Sequence, residues 1–263
     1  MLSAVTDGVL PGTLEWALAG RGALSDRERA AVRAAVRAGY VAAGRGLVSS
    51  FRRRRGVCLD LPVAPDSRLA REAEQAAAEQ GAALAGHGYR TWILGTALAA
   101  ADGVRVDPEW LYVVGLLHDS GMMREVAGED FTIRSGEVLL GVARQAGAAN
   151  EIATALADAA VAHATPGIEV ARDPVAFYVQ AGAMADLAGL RMWDLPRGLL
   201  ARAYTVHPGN GVHAEVSRLI RREAAQVPEG RFAVLRRAGM DRMVGFSPTR
   251  VHAYRAGHAR PVT

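Results

Sequence analysis

The chain reads as an all-α protein, and three observations carry that reading. Half of the residues are hydrophobic, only 6% are aromatic, and alanine dominates, a composition that favours helix over sheet. Apolar residues recur at steps of three and four along most of the sequence, the period of a helix that buries one face. No segment shows the apolar–polar alternation of a strand, and no repeat or low-complexity linker breaks the pattern. A chain of 263 residues can bury a substantial core, as one large domain or as a domain with an added lobe.

The elements follow in order. Residues 1–65 read as an N-terminal helical extension, in which Ser25-Asp26 caps a helix whose Arg-Ala-Ala-Val repeat runs through the thirties. A loop with Gly56, Pro62 and Pro65 follows. Asp66-Ser67 caps the next helix, with Glu72 and Glu74 in its early turns, where acidic groups suit the helix dipole. One helix is expected over Gly86–Ala101, and Asp107-Pro108 opens another in the N-cap, N1 arrangement, ended by Ser120-Gly121. Ser135 begins a helix carrying Val138, Leu139 and Val142. Asn150 begins one that ends at His163, with Thr165-Pro166-Gly167 as its stop. Asp173-Pro174 starts one that runs through Asp186 to about Leu190, and Pro196 and Val212 open later helices. From Pro228 onward Gly230, Gly239, Gly245, Pro248 and Gly257 weaken the periodicity, so a loosely packed tail is expected. The division is therefore an extension (1–65), a central helical domain (66–225) and a C-terminal helical tail (226–263).

Composition narrows the function classes. The net charge is +4 and all 31 basic residues are arginine. Two basic clusters, Arg52–Arg55 and the stretch with Arg231, Arg236, Arg237 and Arg242, lack interleaved aromatics. They read as solvated faces or contacts in a homo-oligomer, and nucleic-acid binding is not expected. Cys58 stands alone, so neither an internal disulfide nor a thiolate metal site can form. No run of 18 or more residues lacks charge, so no membrane span is expected. The first residues have no basic region ahead of an apolar core, so no secretory leader is expected and a reducing cytoplasm is the default.

The chemistry lies in an ordered set: His87, the adjacent pair His118-Asp119 at the end of an apolar run, His163 and Asp186. In the helix ending at His163, Ile152, Leu156, Ala159 and His163 share one stripe, and Val175, Val179, Gly182 and Asp186 do so in the next. Both functional side chains therefore point inward. A carboxylate on a buried stripe needs a partner, because an unpaired buried charge is costly. His87, His118, Asp119 and Asp186 form a mixed nitrogen–oxygen set that suits Zn²⁺, and also Fe²⁺, Mn²⁺ or Co²⁺.

At these residues the chain resembles the HD-domain superfamily, whose fold is a helical bundle and whose motif is His, His-Asp, Asp in sequence order. The matching stretches are His87-Gly-Tyr-Arg-Thr-Trp-Ile-Leu-Gly, Leu111-Tyr-Val-Val-Gly-Leu-Leu-His-Asp-Ser-Gly, and Glu129-Asp-Phe-Thr-Ile-Arg-Ser-Gly-Glu. Ala162-His-Ala-Thr-Pro-Gly and Val179-Gln-Ala-Gly-Ala-Met-Ala-Asp-Leu-Ala-Gly complete them. They look most like the cyanamide-hydratase-like branch, and the resemblance covers residues 66–195. It implies an HD-domain bundle, metal ligation by His87, His118, Asp119 and Asp186, and a place for His163 facing metal-bound water or substrate. Dinuclear members carry a further histidine between the positions of His163 and Asp186. Residues 164–185 contain none, which argues for a single metal, zinc first, and against a di-iron oxygenase.

A metal with open positions makes its water acidic and polarises an electrophile. The expected activity is hydrolase or hydro-lyase chemistry on a small-molecule substrate, attacking a nitrile-like or amide-like carbon. His163 is the expected proton carrier, with Asp119 assisting. Arg90, one turn beyond His87, is a candidate for an anionic substrate group, with a salt bridge to Asp119 or Asp186 as its other role. Residues 122–134 are long enough to roof the site, and Phe131, Glu137 and Gln180 are further substrate-binding candidates. Two other readings stand beside this one. A phosphohydrolase of a nucleotide or other phosphate ester would use Arg90, Arg124 and Arg134. An HD-type oxygenase or a non-catalytic ligand-binding protein comes after it.

Overall fold

A computed structural model describes residues 12–50, 60–209 and 211–253. Arg52–Arg55, Gly56, Cys58 and Gly257 lie outside the described residues. The fold is all-α. Its helices are α1 (Leu14–Gly20), α2 (Asp26–Ser50), α3 (Arg68–Ala78), α4 (Gly81–Asp102), α5 (Pro108–Leu117), α6 (Phe131–Ala146), α7 (Asn150–His163), α8 (Pro174–Ala188), α9 (Leu199–Val206), α10 (Val212–Gln226), α11 (Arg231–Arg237) and α12 (Met240–Gly245), with one 3-10 turn at Ser120–Met123. Among the described residues the only β-type pairing is an isolated bridge between Ala23 and Gly230, and no helix is long and apolar enough to cross a membrane.

The helix starts follow the capping residues. Ser25 and Glu28 form a capping box: Glu28 N–H donates to Ser25 Oγ at 3.3 Å and Ser25 N–H donates to Glu28 Oε2 at 2.7 Å. Ser67 accepts from Ala70 N–H, Asp107 from Glu109 and Trp110 N–H, and Asp173 from Ala176 N–H. The helix expected from Ser135 begins earlier, at Phe131, because Asp130 accepts from Thr132 N–H at 2.9 Å and caps the chain there. The start expected at Pro196 moves to Leu199, where Gly198 is the N-cap.

At the centre, α4 lies between α5 and α8, and glycines set the distances. A Cβ on Gly182 would fall 2.2 Å from Thr91 O, and one on Gly88 would fall 2.7 Å from Leu116 O. At both positions backbone rests on backbone, which draws together the three helices that carry His87, His118 and Asp186. Around them a core of Ile93, Leu94, Leu98, Val113, Leu117, Leu139, Leu156 and Tyr178 is buried. A second core joins Leu84, Met122, Phe131 and Leu187 to Val216, Ile220, Phe232, Met240 and Val244 of α10–α12. A third joins Leu14, Trp16 and Val32 to Ile133, Val161 and Val234.

The expected loose tail is corrected for the described residues after Pro228: they form α11 and α12 and complete two of the three cores. Arg231, only 1% exposed, fastens them. Its guanidinium donates to Asp130 Oδ2 (3.1 Å), Thr132 Oγ1 (2.7 Å), Val161 O (2.7 Å) and Thr165 Oγ1 (2.8 Å), and it stands 5.0 Å from the Trp16 ring. One arginine thus ties α11 to the cap of α6, the end of α7 and α1.

Candidate metal centre

Each member of the ordered set sits at the end or on the inner face of a helix. His87 is in the second turn of α4, His118 is the C-cap of α5, Asp119 is the N-cap of the 3-10 turn, and His163 closes α7. Asp119 has φ −102° and ψ 4°, the sparsely populated bridge region in which many active-site residues sit. The turn after it is fixed by Gly121. A Cβ there would be 2.0 Å from Phe131 O, and Gly121 N–H donates to Ser135 Oγ at 2.9 Å.

The donor atoms of His87, His118 and Asp119 lie within 4.8 Å of one another, and all three residues are buried. His87 Nε2 is 3.7 Å and His118 Nε2 is 3.4 Å from Asp119 Oδ2, while His163 Nε2 is 3.7 Å from Asp119 Oδ1. The other ring nitrogens explain this orientation. His118 Nδ1 donates to Gly115 O at 2.8 Å, His163 Nδ1 donates to Ala160 O, and His87 Nδ1 donates to Asp186 Oδ2 at 2.7 Å. A carbonyl or an ionised carboxylate only accepts, so each Nδ1 carries a proton, and in the neutral ring it is Nε2 that offers a lone pair. The Nε2 atoms of His87 and His118 are buried and have no hydrogen-bond partner.

Burial lowers the His118 pKa, and His87 adds to the effect against the pull of Asp119. Burial, followed by His118, takes His163 down to about 3. Burial alone would raise the Asp119 carboxyl, but His118, His87 and His163 together outweigh it and leave it below the ordinary carboxylate range. Burial thus favours the neutral form of the His118 and His163 rings, and with the Asp119 carboxyl between the ring nitrogens the pocket is suited to a cation.

Asp186 stands behind His87. Burial alone would raise its pKa, but Arg90 and the His87 hydrogen bond lower it. Arg90 Nε donates to Asp186 Oδ1 at 2.8 Å and Nη2 to Oδ2 at 3.0 Å, while Nη1 donates to His207 O and Pro208 O. Its guanidinium stacks 4.4 Å from the Tyr204 ring. Both oxygens of Asp186 are thus engaged away from the His118–Asp119 group, and Asp186 differs from the expected fourth ligand.

A cavity of about 200 Å³ opens from this cluster. His87, His118, Asp119 and His163 form its head, and Met122, Met184, Val216, Ile220, Phe232, Leu235, Met240 and Met243 form its wall. Val36, Gly39 and Tyr40 of α2, with Gly167, form its outer end, where Gly39, Tyr40 and Gly167 are exposed. Of the expected substrate-binding residues, Gln180 lines the cavity, with its Nε2 donating to His163 O and to Thr165 O. Three expectations are corrected. Arg90 is fully buried with its donors spent on Asp186 and backbone carbonyls. Phe131 is 1% exposed and lies beneath the site, its ring centroid 4.9 Å from that of Phe232 and 6.2 Å from that of His163. Glu137 is on the outer face of α6, 3.7 Å from Arg124. Of residues 122–134, expected as a roof, Met122 enters the wall, and residues 131–134 already belong to α6. Arg134 holds the loop down, with Nε donating to Gly121 O at 2.9 Å and Nη1 to Glu129 O at 3.1 Å.

Sequence reasoning missed most of the wall, which comes from α2, α10, α11 and α12. Met122, Met184 and the α12 pair Met240 and Met243 come from three distant segments, so only tertiary packing brings them together. Compared with known proteins, the chain matches no family model and no curated protein.

Proposed function

We propose that the protein is a metal-dependent hydrolase or hydro-lyase that adds water to a nitrile-like or amide-like carbon of a small, uncharged molecule. The observation that carries the proposal is the pair of partnerless, buried Nε2 lone pairs on His87 and His118 beside the ionised Asp119. Each buried polar atom without a partner costs about 1–3 kcal/mol, and one divalent cation held by His87, His118 and Asp119 removes that cost. The donor set suits zinc first and Fe²⁺, Mn²⁺ or Co²⁺ as alternatives. When bound, such a metal supplies a water with a pKa near neutrality.

The chain's own residues do the rest. Asp186, oriented by Arg90, holds His87 in the tautomer that leaves Nε2 open, and Gly115 O does the same for His118. His163 Nε2 is 3.7 Å from Asp119 Oδ1 and lines the head of the cavity; burial makes it a weak base, which suits it to orient a water or substrate hydrogen by a hydrogen bond. Gln180 fixes the last turn of α7 and with it the His163 ring. The apolar wall limits competing water. The order His87, His118-Asp119, Asp186 resembles the HD-domain superfamily, and the likeness to its cyanamide-hydratase-like branch favours carbon over phosphorus as the centre attacked. Among the described residues no arginine lines the cavity; the buried Arg90 and Arg134 and the exposed Arg124 are all engaged elsewhere. A phosphate ester is therefore the weaker substrate class. With a lone cysteine, the chain suits a reducing cytoplasm.

Elemental analysis of the purified protein beside the Asp119→Ala variant tests this, together with ammonia or amide release from small nitriles and amides. One equivalent of divalent metal, lost in the variant, is the expected result. Two irons per chain, or no metal after reconstitution, would overturn it.

A further inference from the structure

The wall of the cavity specifies more than a small molecule. Four methionines, Met122, Met184, Met240 and Met243, meet Phe232 and Ile220 there. Beyond the cluster at its head, the polar side chains lining the cavity are Gln180 and Tyr40. The Gln180 amide nitrogen is spent on His163 O and Thr165 O, and Tyr40 Oη donates to Ala238 O at 3.0 Å. Among the described residues the only ionised side chain facing the space is Asp119.

We propose that this cavity is the substrate pocket for a neutral molecule bearing one aromatic ring, about the size of a monosubstituted benzene, with its reactive group at His87, His118 and Asp119. Three observations support that choice, which rests on the hydrolase reading above only for the identity of the reactive group. The volume of about 200 Å³ modestly exceeds the ~150 Å³ apolar cavity that accepts benzene. An ionised substrate arm would be desolvated against a wall with no countercharge, at a cost of several kcal/mol. Methionine sulfurs make favourable contacts with aromatic ring edges and adapt their shape to the ring they hold.

Calorimetric titration of metal-loaded and metal-free protein with benzamide, acetamide and phenyl phosphate tests the proposal. Benzamide is expected to bind about ten-fold or more tightly than acetamide, because the ring adds buried apolar area, and to bind more tightly than phenyl phosphate. A Met243→Trp variant, which fills the wall from a partly buried position, is expected to lose at least about ten-fold in benzamide affinity while keeping its metal and its helical circular dichroism. Met184→Arg, which puts a cation in the wall, should reverse the order of benzamide and phenyl phosphate, so the idea stays testable if the first variant fails to fold. Equal binding of benzamide and acetamide, or tightest binding of phenyl phosphate by the unmodified protein, overturns the pocket assignment. Loss of the benzamide preference with metal uptake intact sinks the pocket alone. A preserved preference in a protein that takes up no metal supports the pocket and sinks the hydrolase reading alone.

Discussion

A 2.7 Å hydrogen bond from His87 Nδ1 to Asp186 Oδ2 decides which nitrogen of His87 faces His118 and Asp119 at the candidate metal centre. The carboxylate is itself held by two hydrogen bonds from Arg90, and all three side chains are fully buried. Replacing Asp186 by Asn keeps the shape but weakens the acceptor. Metal affinity should fall by about 10–100-fold, the usual effect of losing an orienting outer partner. Competition against a chelator reads this directly, and complete loss of metal would instead make Asp186 a ligand.

Asp186→Ala should do more damage than Asp186→Asn. It strands the Arg90 guanidinium in a buried site, and breaking a buried pair in this way costs about 3–5 kcal/mol. Urea unfolding of the metal-free variant measures the loss without a contribution from the metal. A midpoint near that of the unmodified protein would show that solvent reaches Arg90.

Gly182 predicts a change in both stability and site. A methyl group there would overlap Thr91 O, at 2.2 Å from the built Cβ, so Gly182→Ala must push α8 away from α4. The expected cost is at or above the ~1–3 kcal/mol of ordinary overpacking, and metal affinity should drop because Asp186 moves with α8. Thermal unfolding with and without metal checks both parts.

Arg231 tests whether the last helices belong to the core. Arg231→Ala leaves Asp130 unpaired in a buried position, and a loss of about 3–5 kcal/mol follows from breaking such a pair. A loosely attached tail would tolerate the change with little shift in the urea midpoint.

Acid should destabilise the fold in a defined window. Burial, with Arg90 in support, holds His207 down to about 4. Burial and Arg90, Arg250 and His87 outweigh Asp186 to hold His213 down to about 4. In the unfolded chain a histidine titrates near ~6.5. Between these values the unfolded state binds more protons than the folded one, so stability falls as pH drops from about 6.5 towards 4 and is flat above that range. Urea midpoints at graded pH should show this slope, reduced in His213→Gln. A midpoint unchanged from neutral pH to pH 5 would contradict it.

Where the signals are local, the sequence is a good guide. Helix α7 runs Asn150–His163 as its start and stop residues indicate, and α5 opens at Pro108 behind Asp107. Asp130 shows how a local signal can be overlooked: its capping bond sets the start of α6 four residues before Ser135. Inward placement of His163 and Asp186 could be read from helical period, but the burial of Arg90 could not. It depends on His207 and Pro208, more than a hundred residues away. The same holds for Arg231, whose partners lie on α6 and α7. Residues 228–245 look weak as a sequence because their packing rests on such distant bonds rather than on their own periodicity.

The cavity wall joins Val36 and Tyr40 near one end of the described chain to Phe232, Leu235 and Met243 near the other, and Tyr40 Oη closes the gap by donating to Ala238 O. During synthesis the residues at the head of the site emerge from the ribosome well before that wall is complete. A nascent chain stopped short of Arg231 lacks Phe232, Leu235, Met240 and Met243 of that wall. Enclosure of the pocket is therefore fixed by the arrival of α11 and α12.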